Sequence, residues 1–164
     1  MMLNRQQTLT LIQQARSQGR TPDLRGADLV GVDLQSADLS RIDLSFAELM
    51  SANLSDTNLQ RTYLSYADLS QANLSRADLS QADLSRANLQ QADLRQASFD
   101  GAILGGANLA GADLRGVDLS QANLQDIVLD QARYDQNTGW PGSFDPAAYG
   151  AIEVDEQTPD EATD

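Results

Sequence analysis

Leucine recurs at every fifth position from Leu24 to Leu94, Phe99 takes the next slot, leucine resumes from Leu104 to Leu129, and Tyr134 closes the run. The residue two places before each is small or β-branched almost throughout, as in Ala27, Val32, Ala37, Ile42, Thr57 and Thr62, and the residue between is usually Asp or Asn. A period of five suits neither regular element. On an α-helix these leucines would spiral around the axis, and on one long strand they would alternate faces. The chain must therefore turn once per repeat. Residues two apart in a short extended piece point the same way, so a bend every five residues aims both the small residue and the leucine inward. The outcome is a solenoid with a leucine-filled axis.

Segments such as Ala67-Asp68-Leu69-Ser70-Gln71 and Ala72-Asn73-Leu74-Ser75-Arg76 resemble the Ala-(Asp/Asn)-Leu-x-x consensus of the pentapeptide-repeat family, and the likeness runs without a phase break over residues 22–136. The resemblance implies an all-β solenoid, a right-handed quadrilateral β-helix (the repeat-five-residue fold) with four pentapeptides per coil. The spacing alone gives the turn per repeat but not the number of sides. Coils about 4.8 Å apart would make a rod roughly 28 Å long.

The flanks divide the rest. Residues 1–21 are read as a capping helix, with Asn4 as its cap, Leu9, Leu11, Ile12 and Ala15 on one side and Gly19 at its stop. A lid over the open first coil and a partner-binding helix both fit it. Residues 137–152 gather three aromatics, Trp140, Phe144 and Tyr149, and are similar to a tail that follows such repeats in proteins of photosynthetic bacteria. They are read as a carboxyl-terminal cap, with a dimer or partner interface as the alternative. Residues 153–164 are read as a disordered acidic end.

Composition removes whole classes of chemistry. The chain has no Cys, no His and no Lys, all eleven basic residues being arginine. Disulfides, soft metal sites and Cys, His or Lys catalysis are thereby excluded, and a serine nucleophile would have no ordinary base. No phosphate, calcium or zinc motif is present, so no cofactor and no metal are expected. No stretch is apolar enough to span a membrane and the amino terminus lacks a secretory pattern, which points to a cytoplasmic protein. The net charge of −13 disfavours direct binding of nucleic acid.

If one coil takes 20 residues, sequence becomes a map of columns. Asp28, Glu48 and Asp68 then form an acidic column. Asp and Asn at this position can simply bond nearby backbone at the bends, or they can present a ligand-facing acidic surface. Arg41 and Arg61 share a second column, and Phe46, Tyr66 and Arg86 a third, flanked by Met50 and Tyr63. A stacked aromatic pair beside arginine has the composition of an interface hot spot, although an inert aromatic ladder has the same appearance. Gly101, Gly106, Gly111 and Gly116 occupy one bend position in four consecutive repeats, which reads as a coil with its own turn geometry.

The leading reading is a non-catalytic scaffold, monomeric or weakly dimeric, that presents a protein-binding face to a partner of unknown identity. Resemblance to members implicated in control of cell differentiation adds a regulatory role. The alternative is an acidic rod that mimics DNA and binds gyrase or another DNA-binding protein.

Overall fold

Ala67-Asp68-Leu69-Ser70-Gln71 shows how one repeat satisfies every backbone N–H it carries. In the computed structural model, which describes residues 2–155, Ala67 N donates to Leu64 O across the preceding corner at 3.0 Å. Asp68 N donates to Ala47 O on the coil below at 2.9 Å, while Leu69 N and Gln71 N donate to Asn88 O and Gln90 O on the coil above at 2.7 and 2.8 Å. The fifth donor, Ser70 N, has no carbonyl to reach, and the Asp68 carboxylate takes it at 3.0 Å. The same bond recurs from Ser55 N to Asn53, Ser85 N to Asp83 and Ser120 N to Asp118. A short side chain bearing an acceptor two residues back is what the geometry requires, and Asp and Asn are the residues that provide it.

From Asp23↔Asp43 to Asn108↔Val128, parallel bridges join residues 20 apart. One circuit of the chain is therefore four pentapeptides. Each bridge involves a single central residue, so few residues count as strand even though every repeat is hydrogen-bonded to its neighbours above and below. The named strands are β1 (Arg133–Tyr134) and β2 (Ile152–Glu153), which pair in parallel at the far end.

The corners are β-turns whose third residue is left-handed. Among positions 26, 31 and onward to 131, all but Gln121 have φ between about +56° and +70°, including Phe46, Arg61, Tyr66 and Arg86. The four-glycine coil thus shares the turn geometry of the others, contrary to the sequence expectation. Glycine there removes a backbone cost that the remaining corners bear. No Val, Ile or Thr stands at any of these positions, because β-branching makes the left-handed region hardest to enter.

Inside, the leucines and Phe99 are buried, and Thr57, Thr62 and Thr138 replace the small inward residue at three places. Their hydroxyls donate to Leu54 O, Leu39 O and Leu114 O at 2.6, 2.8 and 3.0 Å, so none of the three is stranded by its burial.

The two ends are closed differently. Helix α1 (Arg5–Ser17) opens with a capping box between Asn4 and Gln7 and buries Thr8 and Ile12 against the first coil. Leu11, grouped by sequence with the inward residues, is instead 43% exposed. The first coil has no partner below, and its carbonyls are covered from this segment: Leu3 N bonds Asp28 O, Arg5 bonds Asp33 O and Gln35 O, and Arg16 bonds Ser40 O. The arginines of this stretch thus serve the solenoid's open edge.

At the other end the chain takes an extra residue near Gln136, so that Asp118 bridges Gly139. It then makes a further circuit through a 3₁₀ turn (Pro146–Tyr149) capped by Asp145. Tyr134, Trp140, Phe144 and Tyr149 form a run of ring contacts with centroids 4.8–5.6 Å apart. The disordered acidic end expected from residue 153 does not begin there. Glu153 is in β2, Val154 N donates to Tyr134 O at 2.8 Å, and the Val154 side chain is buried. Residues 156–164 of that expected tail lie outside the described residues.

Candidate interaction face

The 20-residue register sorts the outward side chains into columns. One side of the rod carries Asp23, Asp43, Tyr63, Asp83, Ile103 and Asn123 at successive levels. The corner before it holds Arg41 and Arg61, and the corner after it holds Phe46, Tyr66 and Arg86. All five candidate partner residues therefore border a single side, with Tyr63 between them. Asp28, Glu48 and Asp68 stack on the next side round, beyond the aromatic corner.

Phe46 and Tyr66 are parallel rings, 5.1 Å between centroids and 6° apart in plane. Arg86 lies over Tyr66 with Cζ 5.7 Å from the ring centroid, and its Nη1 donates to Tyr66 Oη at 3.1 Å. Stacking at the coil spacing makes the members of this column partners of one another. Phe46 is 60% and Tyr66 49% exposed, so the ladder stands out from the rod.

Magnitudes give the ladder little net weight in stability. A ring pair contributes about 0.5–1.5 kcal/mol and an exposed cation–π contact about 0.5–1 kcal/mol. Holding a non-glycine residue in the left-handed region costs about 1–2 kcal/mol, and three residues of the column are so held. Glycine, as at six of the other corners, would serve the fold about as well.

Charge is distributed in the same pattern. Arg25 bonds Asp23 at 2.7 Å and lies 3.5 Å from Asp43; Arg76 bonds Asp56 at 2.7 Å, and Arg95 and Arg115 bond Asp93 and Asp113. The hydrogen bonds from Arg25 and Arg76 hold the Asp23 and Asp56 carboxyls below the usual aspartate range. Among the described residues Arg41, Arg61 and Arg86 pair with no carboxylate; Arg61 bonds Gln81, and Arg86 bonds Tyr66. These three border the tyrosine side, while Arg20, which bonds Gln18 and likewise meets no carboxylate, follows α1. Arg41 also borders a shallow recess of about 490 Å³ shared with Arg16, Arg20 and Asp38.

The acidic column is not uniform. Asp68 accepts from Ser70 N and from Asn88 Nδ2, both at 3.0 Å. The Asp28 and Glu48 carboxylates accept no hydrogen bond and form no ion pair among the described residues, unlike those of the central aspartates at positions 23, 33, 38, 43, 68, 78, 83, 93, 113 and 118. Glu48 has one methylene too many for the corner bond that aspartate makes. Sequence reasoning grouped these two with Asp68 and missed the difference; the Glu at position 48 was the available signal. It also passed over Ile103, 44% exposed on the tyrosine side between glycine corners. No group of acidic side chains in the described residues is arranged to hold a metal ion.

A family profile described as pentapeptide repeats matches the chain in eight copies between residues 27 and 131. Among solved structures the chain is similar to the pentapeptide repeat protein Rfr23 of the cyanobacterium Cyanothece 51142, with 29% identity over 81% of this chain and 97% of that one and a TM-score of 0.67. A pentapeptide repeat protein of the Arabidopsis thaliana thylakoid lumen is 36% identical over 63% of this chain and 72% of its own, with a TM-score of 0.60. HetL of Nostoc, a pentapeptide repeat protein involved in heterocyst differentiation regulation, is 35% identical over 81% of this chain and 68% of its own, with a TM-score of 0.34. No curated protein matches at a significant level.

Proposed function

Because the chain belongs to the pentapeptide-repeat family, we propose that it is a non-catalytic scaffold, a right-handed four-sided rod that uses the tyrosine side and its two corners to bind another protein. The observation that carries this reading is the exposed Phe46–Tyr66–Arg86 ladder. Against glycine at the same corners the ladder gains little net stability, and an outside contact accounts for large side chains held exposed there. Tyr63, Arg41 and Arg61 extend the same surface, giving the aromatic and arginine mixture that dominates interface hot spots. In support of a role without catalysis, the recesses among the described residues are shallow and polar, and most carboxylates sit on corners and sides open to water. No helix among the described residues is long and apolar enough to cross a membrane, and a cytoplasmic setting, as monomer or weak dimer, belongs to the same reading.

Capture of partners from the native host by the tagged chain, compared with a Phe46→Ser/Tyr66→Ser variant of unchanged circular dichroism, tests it. A partner lost with the variant supports the face, and the same partners held equally by both chains refute it. A second reading, a DNA-mimicking rod acting on gyrase, is favoured by the net charge of −13 and by the unengaged Asp28 and Glu48. Inhibition or protection of gyrase supercoiling that falls steeply with salt and is insensitive to the aromatic variant would select that reading.

A further inference from the structure

The aromatic corner has one rung missing. Its column reads Gly26, Phe46, Tyr66, Arg86, Gly106 from the first coil upward. Gly106 lies close against the ladder, since a Cβ there would meet Arg86 Cγ at 3.2 Å. Gly26 does not: nothing lies within 4 Å of where its Cβ would stand. The face of Phe46 turned away from Tyr66 thus has no side chain beneath it on this corner and looks onto an open gap at the foot of the column.

We propose that this gap is a guanidinium slot, which takes an arginine side chain of a protein partner. The inference rests on the protein-binding reading above and specifies its chemistry. The ladder's upper end already holds the arrangement envisaged, with the Arg86 guanidinium laid over Tyr66. An arginine entering below Phe46 would repeat it at the other end. The charge at the gap is complementary. Asp28 follows Gly26 by two residues, Glu48 follows Phe46 by two, and the two bridge each other on the adjoining side. They are the two central acids of the first three coils that neither cap a corner nor meet a cation. Arg25, the basic residue nearest in sequence, is neutralised by Asp23 and Asp43. A planar, weakly hydrated guanidinium can stack on the ring and bond a carboxylate at once, whereas an ammonium remains a hydrated point charge.

The full chain, isotope-labelled, is titrated with acetyl-Gly-Arg-Gly-amide and with its lysine counterpart, and shifts are followed at the Gly26 amide, the Phe46 ring and the Asp28 and Glu48 side chains. The arginine peptide should give saturable shifts at all of these, at least threefold tighter than the lysine peptide. Gly26→Gln should weaken binding at least tenfold by filling the rung. That variant has a native precedent, since Gln71, Gln81 and Gln91 hold equivalent corners at φ +58° to +60°. Phe46→Ser should have a comparable effect. No saturable shift, or equal shifts with arginine and lysine that survive Gly26→Gln, would overturn the slot. Partner capture separates the two levels of the argument. Loss with both Gly26→Gln and the aromatic double variant supports the slot, loss with the double variant alone overturns it and leaves the interaction face standing, and loss with neither removes the face itself.

Discussion

A corner residue in this protein answers to its backbone before its side chain. Gln81 has φ +60°, and its replacement by glycine trades a left-handed cost of about 1–2 kcal/mol for about 0.5–1 kcal/mol of added chain entropy. Gln81→Gly should therefore be neutral to about 1 kcal/mol stabilising, while Gln81→Val should destabilise by about 1–2 kcal/mol; paired urea melts decide, and equal midpoints would show that the corner is indifferent to backbone preference. An inward residue answers to volume instead. Ala77 is 1% exposed, and Ala77→Leu should cost at least about 1–3 kcal/mol through overpacking. Protonation acts at the residue scale as well. Burial works to raise the Asp93 carboxyl, but the bonds from Arg95 outweigh it and hold it below the ordinary aspartate range. A depressed folded-state value stabilises above the unfolded value near 4 and is lost as pH falls through the folded one. Asp93→Asn should lower stability at pH 7 and flatten its decline between pH 5 and 2, which melts across that range measure.

The elements at either end carry loads that the repeats cannot. Ile12, 2% exposed under the first coil, fixes α1 in place, and Ile12→Ala should cost about 2–5 kcal/mol. Ending the chain at Gly139 removes Trp140, Phe144, Val154 and the β2 partner of β1; light scattering should then show self-association through the uncovered last coil, and a clean monomer would show that the final circuit is dispensable. The start of α1 was legible because Asn4 is a capping residue by type, although the Gln7 that completes its capping box went unread, and the repeat was legible because leucine and alanine have no other way to be buried at a period of five. Leu11 was misread because a one-dimensional stripe does not say where the underlying coil ends. The corners were read only at glycine, although the lack of β-branched residues at one position in every repeat carried the same message. The columns were legible once a coil of four repeats was assumed. Neither the stacking of Arg86 on Tyr66 nor the unengaged Asp28 and Glu48 was, since both depend on which way side chains turn at adjacent levels.

At the scale of the whole molecule, the chain is a stack of near-identical levels whose outward chemistry is written in residue number. With no His and no Cys, no side chain has an ordinary titration between pH 5 and 8, so the rod should hold its stability and its face across that interval. The 20-residue register also governs which changes of length the molecule tolerates. Duplicating residues 67–86 adds one full revolution, so every downstream side chain keeps its compass bearing and only its height changes. Duplicating residues 67–71 preserves the same local bonds but turns everything after it by a quarter revolution: Arg86 leaves the Phe46–Tyr66 corner, Ile103 leaves the tyrosine side, and α1 and the final aromatic circuit face each other along a new azimuth. Both proteins should fold, yet only the first should keep its partner. Length in this chain is thus an angular variable, and a ligand-binding surface on it is inherited intact only through insertions and deletions of whole revolutions.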